Sequence, residues 1–239
     1  YDLFDPKTGP AQKRIVFYSG NQWLNRKAQE HLRDYVTSGG VLVAFRNYPR
    51  KDDDFNPCNL LGFHDPARIL FEFRKRFKLS LPAGDEVELT SSVFSFSETS
   101  GKPIRSSFGP YGLHTIGYLK SLGKGKILHL GVEPSKDLLL AILRLFKVPI
   151  YSSSSTRDVK TALFCRGRQY YLVAVNNGRE DKSATVSFVV PGARFRRFRV
   201  TNLLDDSRRT HSVHKRTATF TSEIARKDGT MFQITLLNR

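Results

Sequence analysis

Apolar positions fall in two rhythms along the chain, and the change from one to the other divides it. In "KRIVFYSG" the apolar residues Ile15 to Tyr18 follow a basic pair and stop at Ser19-Gly20, the pattern of a short strand buried in a parallel sheet. The next stretch, "LNRKAQEHLRDYVTSGGVLVAF", changes period. Asn25 stands where a helix cap would, and Ala28, Leu32 and Val36, with Tyr35 beside them, line one helical face. Gly39-Gly40 supplies a left-handed stop, and "VLVAF" reads as a strand buried on both faces. Strand, helix and strand in about 32 residues predict a βαβ unit with parallel strands.

From Asn47 to Ile69 the period is lost: three prolines and four aspartates predict a long loop with a short helix near Asn59 to Leu61. Leu70 to Phe96 gives strand-like pieces, notably "EVELTSSVFSF", and "SETSGKPIRSSFGPYG" reads as loop. In "GKGKILHLGVEPSKDLLLAILRLFKVP" a strand over Lys126 to Leu130 precedes a helix capped by Ser135. Asp137 lies in its first turn, and Leu138, Ala141, Ile142, Leu145 and Phe146 face inward, with Pro149 as the stop. Beyond the serine linker "YSSSS" helical periodicity disappears. Six strand candidates recur at roughly ten-residue spacing between the turn signals Gly167, Asn177-Gly178, Pro191-Gly192 and Asp228-Gly229, which predicts a small antiparallel sandwich. The imperfect alternation of Phe195, Phe198 and Val200 predicts a bulge or an edge position. The expected organisation is an α/β domain over 1–150 and an all-β sandwich over 151–239.

Charge changes this picture in one respect. With 39 Lys+Arg against 22 Asp+Glu the chain carries +17, a field that attracts polyanions. The cations run from Lys7 to Arg239 rather than gathering in one arm, so nucleic acid is the weaker reading. The candidate polyanion contacts are Arg194, Arg196, Arg197 and Arg199 of "RFRRFRV". No stretch approaches the roughly 20 apolar residues of a membrane span, so the chain reads as soluble, either cytoplasmic or secreted. Its first residue is Tyr1 and its first ten residues resemble a linker, which reads as a piece of something longer, with a removed signal as the alternative.

The search for chemistry is mostly subtractive. "GKGKI" precedes a strand and lacks the GxxxxGK[ST] spacing that closes backbone amides on phosphates, and "YSGNQWLN" has one glycine where a dinucleotide fingerprint needs three. No cofactor is expected. Cys58 follows Pro57 in the long loop and Cys165 falls in a strand, so neither forms a nucleophile elbow or half of a zinc site. His211 and His214 lie among cations and read as surface histidines, which leaves no metal site, and His129 reads as a satisfied residue at a strand end. Two features sit where α/β sheets place ligands, beyond the carboxyl ends of strands. Asp52, Asp53 and Asp54 read as a contact with a partner domain or a sugar, and Trp23 as a core cap or as an exposed platform for either. No catalytic residue is assigned.

The combination "IVFYSGNQWLNRKAQEHLRDYVTSGGVLVAF" with "YPRKDDDFNPCNLLG" resembles the glutamine-amidotransferase-like, flavodoxin-like domain that follows the catalytic barrel in bacterial β-galactosidases of glycoside hydrolase families 42 and 35. In family 42 it is the trimerisation domain. The closing "GKGKILHLGVEPSKDLLLAILRLFKVP" is similar to that domain's last strand and helix, and "YYLVAVNNG" and "VTNLLDD" to the β-sandwich after it. The resemblance implies a flavodoxin-like, class I amidotransferase-like α/β domain followed by the sandwich. It also implies that the hydrolytic glutamates lie on a (β/α)₈ barrel outside this chain, and that the amidotransferase triad is lost, as Glu133 four residues after His129 agrees. The implied role is a non-catalytic scaffold that braces the barrel, walls part of its sugar cleft and carries homo-oligomer contacts. A carbohydrate-binding module and a polyanion-binding protein are the alternatives.

Overall fold

The computed structural model describes residues 14–18, 20–82, 84–97, 99–166, 169–190, 195–213 and 217–237. The chain forms two compact units, Tyr1–Val148 and Pro149–Arg239. Among the described residues it has fifteen strands and only two α-helices.

In the first unit, strand β1 (Ile15–Tyr18), helix α1 (Arg26–Thr37) and strand β2 (Val41–Ala44) make the βαβ unit, with β1 and β2 parallel and in register from Ile15–Val41 to Tyr18–Ala44. Asn25 caps α1, its Oδ1 accepting from Ala28 N at 3.3 Å. At the other end Gly39 takes φ 120°, and Tyr35 lies so close over Gly40 that a β-carbon there would meet its ring at 2.2 Å. Strand β7 (Gly125–Leu130) adds to β2 in parallel, and helix α2 (Lys136–Leu145), capped by Ser135, follows it.

Between β2 and β7 the chain departs from the α/β expectation. Strands β3 (Arg68–Ser80) and β4 (Glu86–Ser95) form their own two-stranded antiparallel sheet. Strands β5 (Lys102–Ser107) and β6 (Leu113–Leu122) form a second antiparallel pair, which joins the main sheet through β6 and β7. The sheet order is therefore β1-β2-β7-β6-β5, parallel in three strands and antiparallel in the rest. This overturns the flavodoxin-like, amidotransferase-like assignment. That fold needs a helical crossover for every parallel strand, and residues 66–122 alternate at the period of strands instead. The segment "SETSGKPIRSSFGPYG", expected as loop, contains β5 and a 3-10 turn at Gly109–Tyr111, and Leu60-Leu61 forms a turn where a short helix was expected.

The retained βαβ frame still organises the core. Leu32, Tyr35 and Val36 of α1 pack on Leu42, Ala44 and Ile127, whereas Leu138, Ala141 and Ile142 of α2 pack with Val43, Leu128 and Leu130. Because successive strand residues point to opposite faces, the two helices cover opposite sides of the sheet. Each fully buried Leu, Ile or Val on these faces contributes about 1.5–3 kcal/mol.

The second unit is all β. Its strands are β8 (Ser152–Ser154), β9 (Val159–Arg166), β10 (Gln169–Asn176), β11 (Lys182–Phe188), β12 (Arg197–Asn202), β13 (Arg208–Ser212), β14 (Ala218–Ile224) and β15 (Gly229–Leu237). They form two antiparallel sheets, β13-β12-β15-β10-β9 and β14-β11-β8. Both contribute to one core, with Leu172, Phe198 and Phe232 from the larger sheet meeting Val186, Phe188 and Phe220 from the smaller. The buried Asn176 amide donates to Glu180 O and Ile224 O and its Oδ1 accepts from Gly178 N, which fixes the Asn-Gly turn. No bulge interrupts β12, whose pairing with β13 and β15 is continuous: Phe195 lies outside the strand, so the broken alternation reflects the strand's start.

Candidate functional site

Three places in the first unit combine exposure or burial with polar chemistry. One is the edge loop that follows β2. Arg50 N and Lys51 N both donate to Gln22 O, at 2.8 and 3.0 Å, and Leu24 N donates to Lys51 O at 2.9 Å, so the loop is laced to the β1–α1 turn. Beneath the lacing, the fully buried Gln29 amide donates to Leu24 O and Lys51 O, at 2.9 and 3.0 Å. Asp52 Oδ1 accepts from Asp54 N and Asn56 N and closes the tip, and Asn25 Nδ2 donates to Asp53 Oδ2 at 3.2 Å. On this support sit two aromatic rings, Trp23 and Phe55, with centroids 5.6 Å apart, 48% and 61% exposed. Phe55 holds φ 63°, a left-handed conformation that costs a bulky residue about 1–2 kcal/mol.

Trp23 is thus exposed rather than a core cap, and the structure brings it together with the aspartate loop. Of the three carboxylates, that of Asp52 is spent on the turn and that of Asp53 binds a helix cap, whereas Asp54 is exposed. Sequence reasoning missed Phe55. Its signal was a lone aromatic inside the charged run "KDDDFN", where nothing apolar nearby could bury it.

A second place is a cleft of about 270 Å³ beyond the carboxyl ends of β1, β2 and β7, lined by Tyr18, Phe45, Arg46, Asn47, Val132, Glu133 and Pro134. Arg46 lies 4.2 Å over the Phe94 ring, and its Nη1 donates to Ser92 Oγ and, at 3.3 Å, to Glu133 Oε1. Arg74 Nε donates to Glu133 Oε2 at 3.2 Å, and Glu133 N donates to Ser91 Oγ at 2.9 Å. Two guanidinium groups therefore hold one carboxylate. Tyr18 donates its hydroxyl to Asn21 O at 2.6 Å, and burial pushes its pKa up to about 12. This constellation was not assigned from sequence because its members come from five separate elements.

The third is buried. His129 is fully enclosed by Tyr48, Phe63, Phe96 and Tyr118, with ring centroids between 4.5 and 5.3 Å away. Its Nε2 lies 3.1 Å from Phe45 O, which only accepts, so Nε2 carries the proton and Nδ1 accepts from Tyr118 OH at 3.0 Å. Tyr118 OH in turn accepts from His64 N at 2.9 Å. Alongside, Tyr48 OH donates to Asp65 Oδ1 at 2.5 Å and Arg50 Nη1 donates to the same oxygen at 3.0 Å. Those contacts, the Tyr48 hydroxyl first, hold the Asp65 carboxyl below the usual range. Desolvation drives His129 from its ordinary 6.5 down to about 3. The sign follows. Between about pH 6.5 and 3 the unfolded chain binds a proton that the folded chain refuses, so stability falls as pH drops through this window, by up to about 1.4 kcal/mol per unit. Unfolding free energies of the first unit by urea titration at pH 7, 6 and 5 should decline; a flat profile would show that His129 accepts a proton in place.

In the second unit, Arg197 and Arg199 point outward from β12, while the exposed Arg196 precedes the strand; Arg194 lies outside the described residues. His211 stacks on Phe198 at 5.3 Å, and burial and then Arg209 lower its pKa; its sequence neighbour His214 is outside the described residues.

Residues 2–65 match the sequence profile of a family described as GLMA-like, second domain, a span that includes β1, α1, β2 and the edge loop. No curated protein sequence matches the chain. Among solved structures, Gan42B, a GH42 β-galactosidase from G. stearothermophilus, superposes with a TM-score of 0.63 at 12% identity, over 96% of this chain and 32% of that one. The β-galactosidase of Bacillus circulans sp. alkalophilus gives 0.57 at 13% identity, over 93% and 34%. A rhamnosidase from Novosphingobium sp. PP1Y gives 0.50 at 13%, over 94% and 17%. The chain spans about a third of the length of these β-galactosidases. At such identities the shared property is the fold, and its presence in a rhamnosidase leaves the substrate open.

Proposed function

We propose that this chain is a non-catalytic C-terminal portion of a glycoside hydrolase of the β-galactosidase type, bracing a catalytic domain carried elsewhere in the parent protein. The observation that carries the reading is the asymmetry of the match, which takes in 96% of this chain and only 32% of the enzyme. The chemistry agrees. Glycoside hydrolysis needs a carboxylic acid with a raised pKa facing a second carboxylate. Among the described residues the carboxyl groups that shift, Asp65, Glu88 and Asp205, all shift downward, and Glu133 in the cleft is held between two guanidinium groups.

The contact with the rest of the enzyme is the Trp23–Phe55 platform and its aspartate loop. Folding alone gives no reason to hold a phenylalanine in a left-handed conformation with most of its ring in water, whereas burial under a partner surface does. In the chain alone, Trp23→Ala with Phe55→Gly should change the unfolding free energy by less than about 1 kcal/mol, because relief of the left-handed strain and the larger unfolded entropy of glycine oppose each other. In the parent enzyme the same pair should lower the thermal inactivation temperature by several degrees. Equal effects in both settings would remove the platform from this role.

A further inference from the structure

The larger sheet of the second unit carries a face that the scaffold role leaves unused. Strand register places Arg208 opposite Thr201, Thr201 opposite Gln233, Gln233 opposite Tyr171 and Tyr171 opposite Phe164. These side chains form one row across all five strands, about 19 Å long at about 4.8 Å per strand. Phe198, Val200, Leu172, Phe232 and Ile234 alternate with them and fill the core, so the row faces outward. Phe164 is 55% exposed, Tyr171 is half-buried with its hydroxyl on Gln169 Oε1 at 2.8 Å, and Arg208 is exposed. Arg199 and Arg197 lie on the same face of β12, two and four positions from Thr201. None of the five strands contains an aspartate or glutamate, and among the described residues no ion pair engages Arg197, Arg199 or Arg208.

We infer that this face binds an acidic oligosaccharide laid across the strands. Tyr171 and Phe164 offer aromatic surface for the apolar face of a sugar ring, while the half-buried Gln233 offers an amide to its hydroxyl groups and the buried Thr201 only supports the row. Unpaired guanidinium groups at the β12–β13 end match carboxylate or sulfate groups bidentately. The gap in the charge argues against a nucleic-acid strand. A phosphate at every unit calls for cations along the whole track with aromatics interleaved, and here β15 and β10, the two strands in the middle, carry none, the cations lying on β12 and β13 and, at the far edge, at Lys160 of β9. The inference stands apart from the scaffold proposal, since it uses neither the platform nor the missing catalytic domain.

Calorimetric titration of the full chain with tetragalacturonate, a heparin-derived tetrasaccharide, a neutral galactotetraose and oligo-dT tests it. At least one acidic tetrasaccharide should bind, and which one does identifies carboxylate or sulfate as the recognised group. The neutral sugar and oligo-dT should bind at least about tenfold more weakly. Tyr171→Ala should weaken acidic-sugar binding about tenfold, and Arg199→Gln and Arg208→Gln should weaken it and flatten its salt dependence. The two arginine variants alter only exposed positions, so they remain informative if Tyr171→Ala lowers the unfolding midpoint. The inference is overturned if neither acidic tetrasaccharide binds, if oligo-dT binds as tightly, or if folded arginine variants bind like the wild type.

Discussion

Gly125→Ala is expected to destabilise the first unit by about 3 kcal/mol or more, a large part of the roughly 5–15 kcal/mol that holds a typical domain together. A β-carbon at Gly125 would come within 2.0 Å of Val36 O and 2.2 Å of Gly40 O. Both are backbone atoms, one at the end of α1 and one just before β2, so no rotamer change relieves the clash. The β7 strand would have to move away from the α1–β2 corner, and with it Ile127 and Leu128, which pack on opposite faces of the sheet. Gly229→Ala in the second unit is the control. Its β-carbon would meet Val175 Cγ2 at 3.3 Å, a contact that a side chain can yield, and the cost should stay below about 1 kcal/mol. Urea unfolding of both variants checks the pair; similar midpoints would mean that the corner is looser than its geometry indicates.

His129→Leu should cost about 2–5 kcal/mol at pH 7, although leucine is the more hydrophobic residue and of similar size. The substitution leaves Tyr118 OH without its acceptor and Phe45 O without its donor inside a closed aromatic shell, and each stranded group costs about 1–3 kcal/mol. The same variant should lose the pH dependence assigned to His129, and that separates the two contributions. A leucine variant as stable as the wild type would show that the imidazole fills space and does not organise the polar chain from His64 to Phe45.

Much of this frame is legible from the amino-acid pattern. The period change at Asn25, the apolar face of Ala28, Leu32 and Val36 and the glycine pair locate α1 and β2, because a local signal specifies a local element. The failure lies between residues 66 and 122. A single βαβ unit says nothing about how many crossovers follow, and strand pieces such as "EVELTSSVFSF" fit a parallel or an antiparallel sheet equally well until their partners are known. The familiar motif therefore suggested a wholly wound α/β domain where the chain builds hairpins. The sites divide in the same way. Trp23 and the aspartates could be placed at a strand's carboxyl end from sequence, but the pairing with Phe55 depends on a loop closed by backbone bonds. The row from Arg208 to Phe164 depends on the register of five strands, which no local pattern encodes.

The most direct test of a non-catalytic scaffold is turnover of nitrophenyl β-galactoside by the purified chain alone. A scaffold predicts no hydrolysis above background at any protein concentration. Turnover that scales with the chain and disappears in Glu133→Gln, the carboxylate lining the cleft, would contradict it.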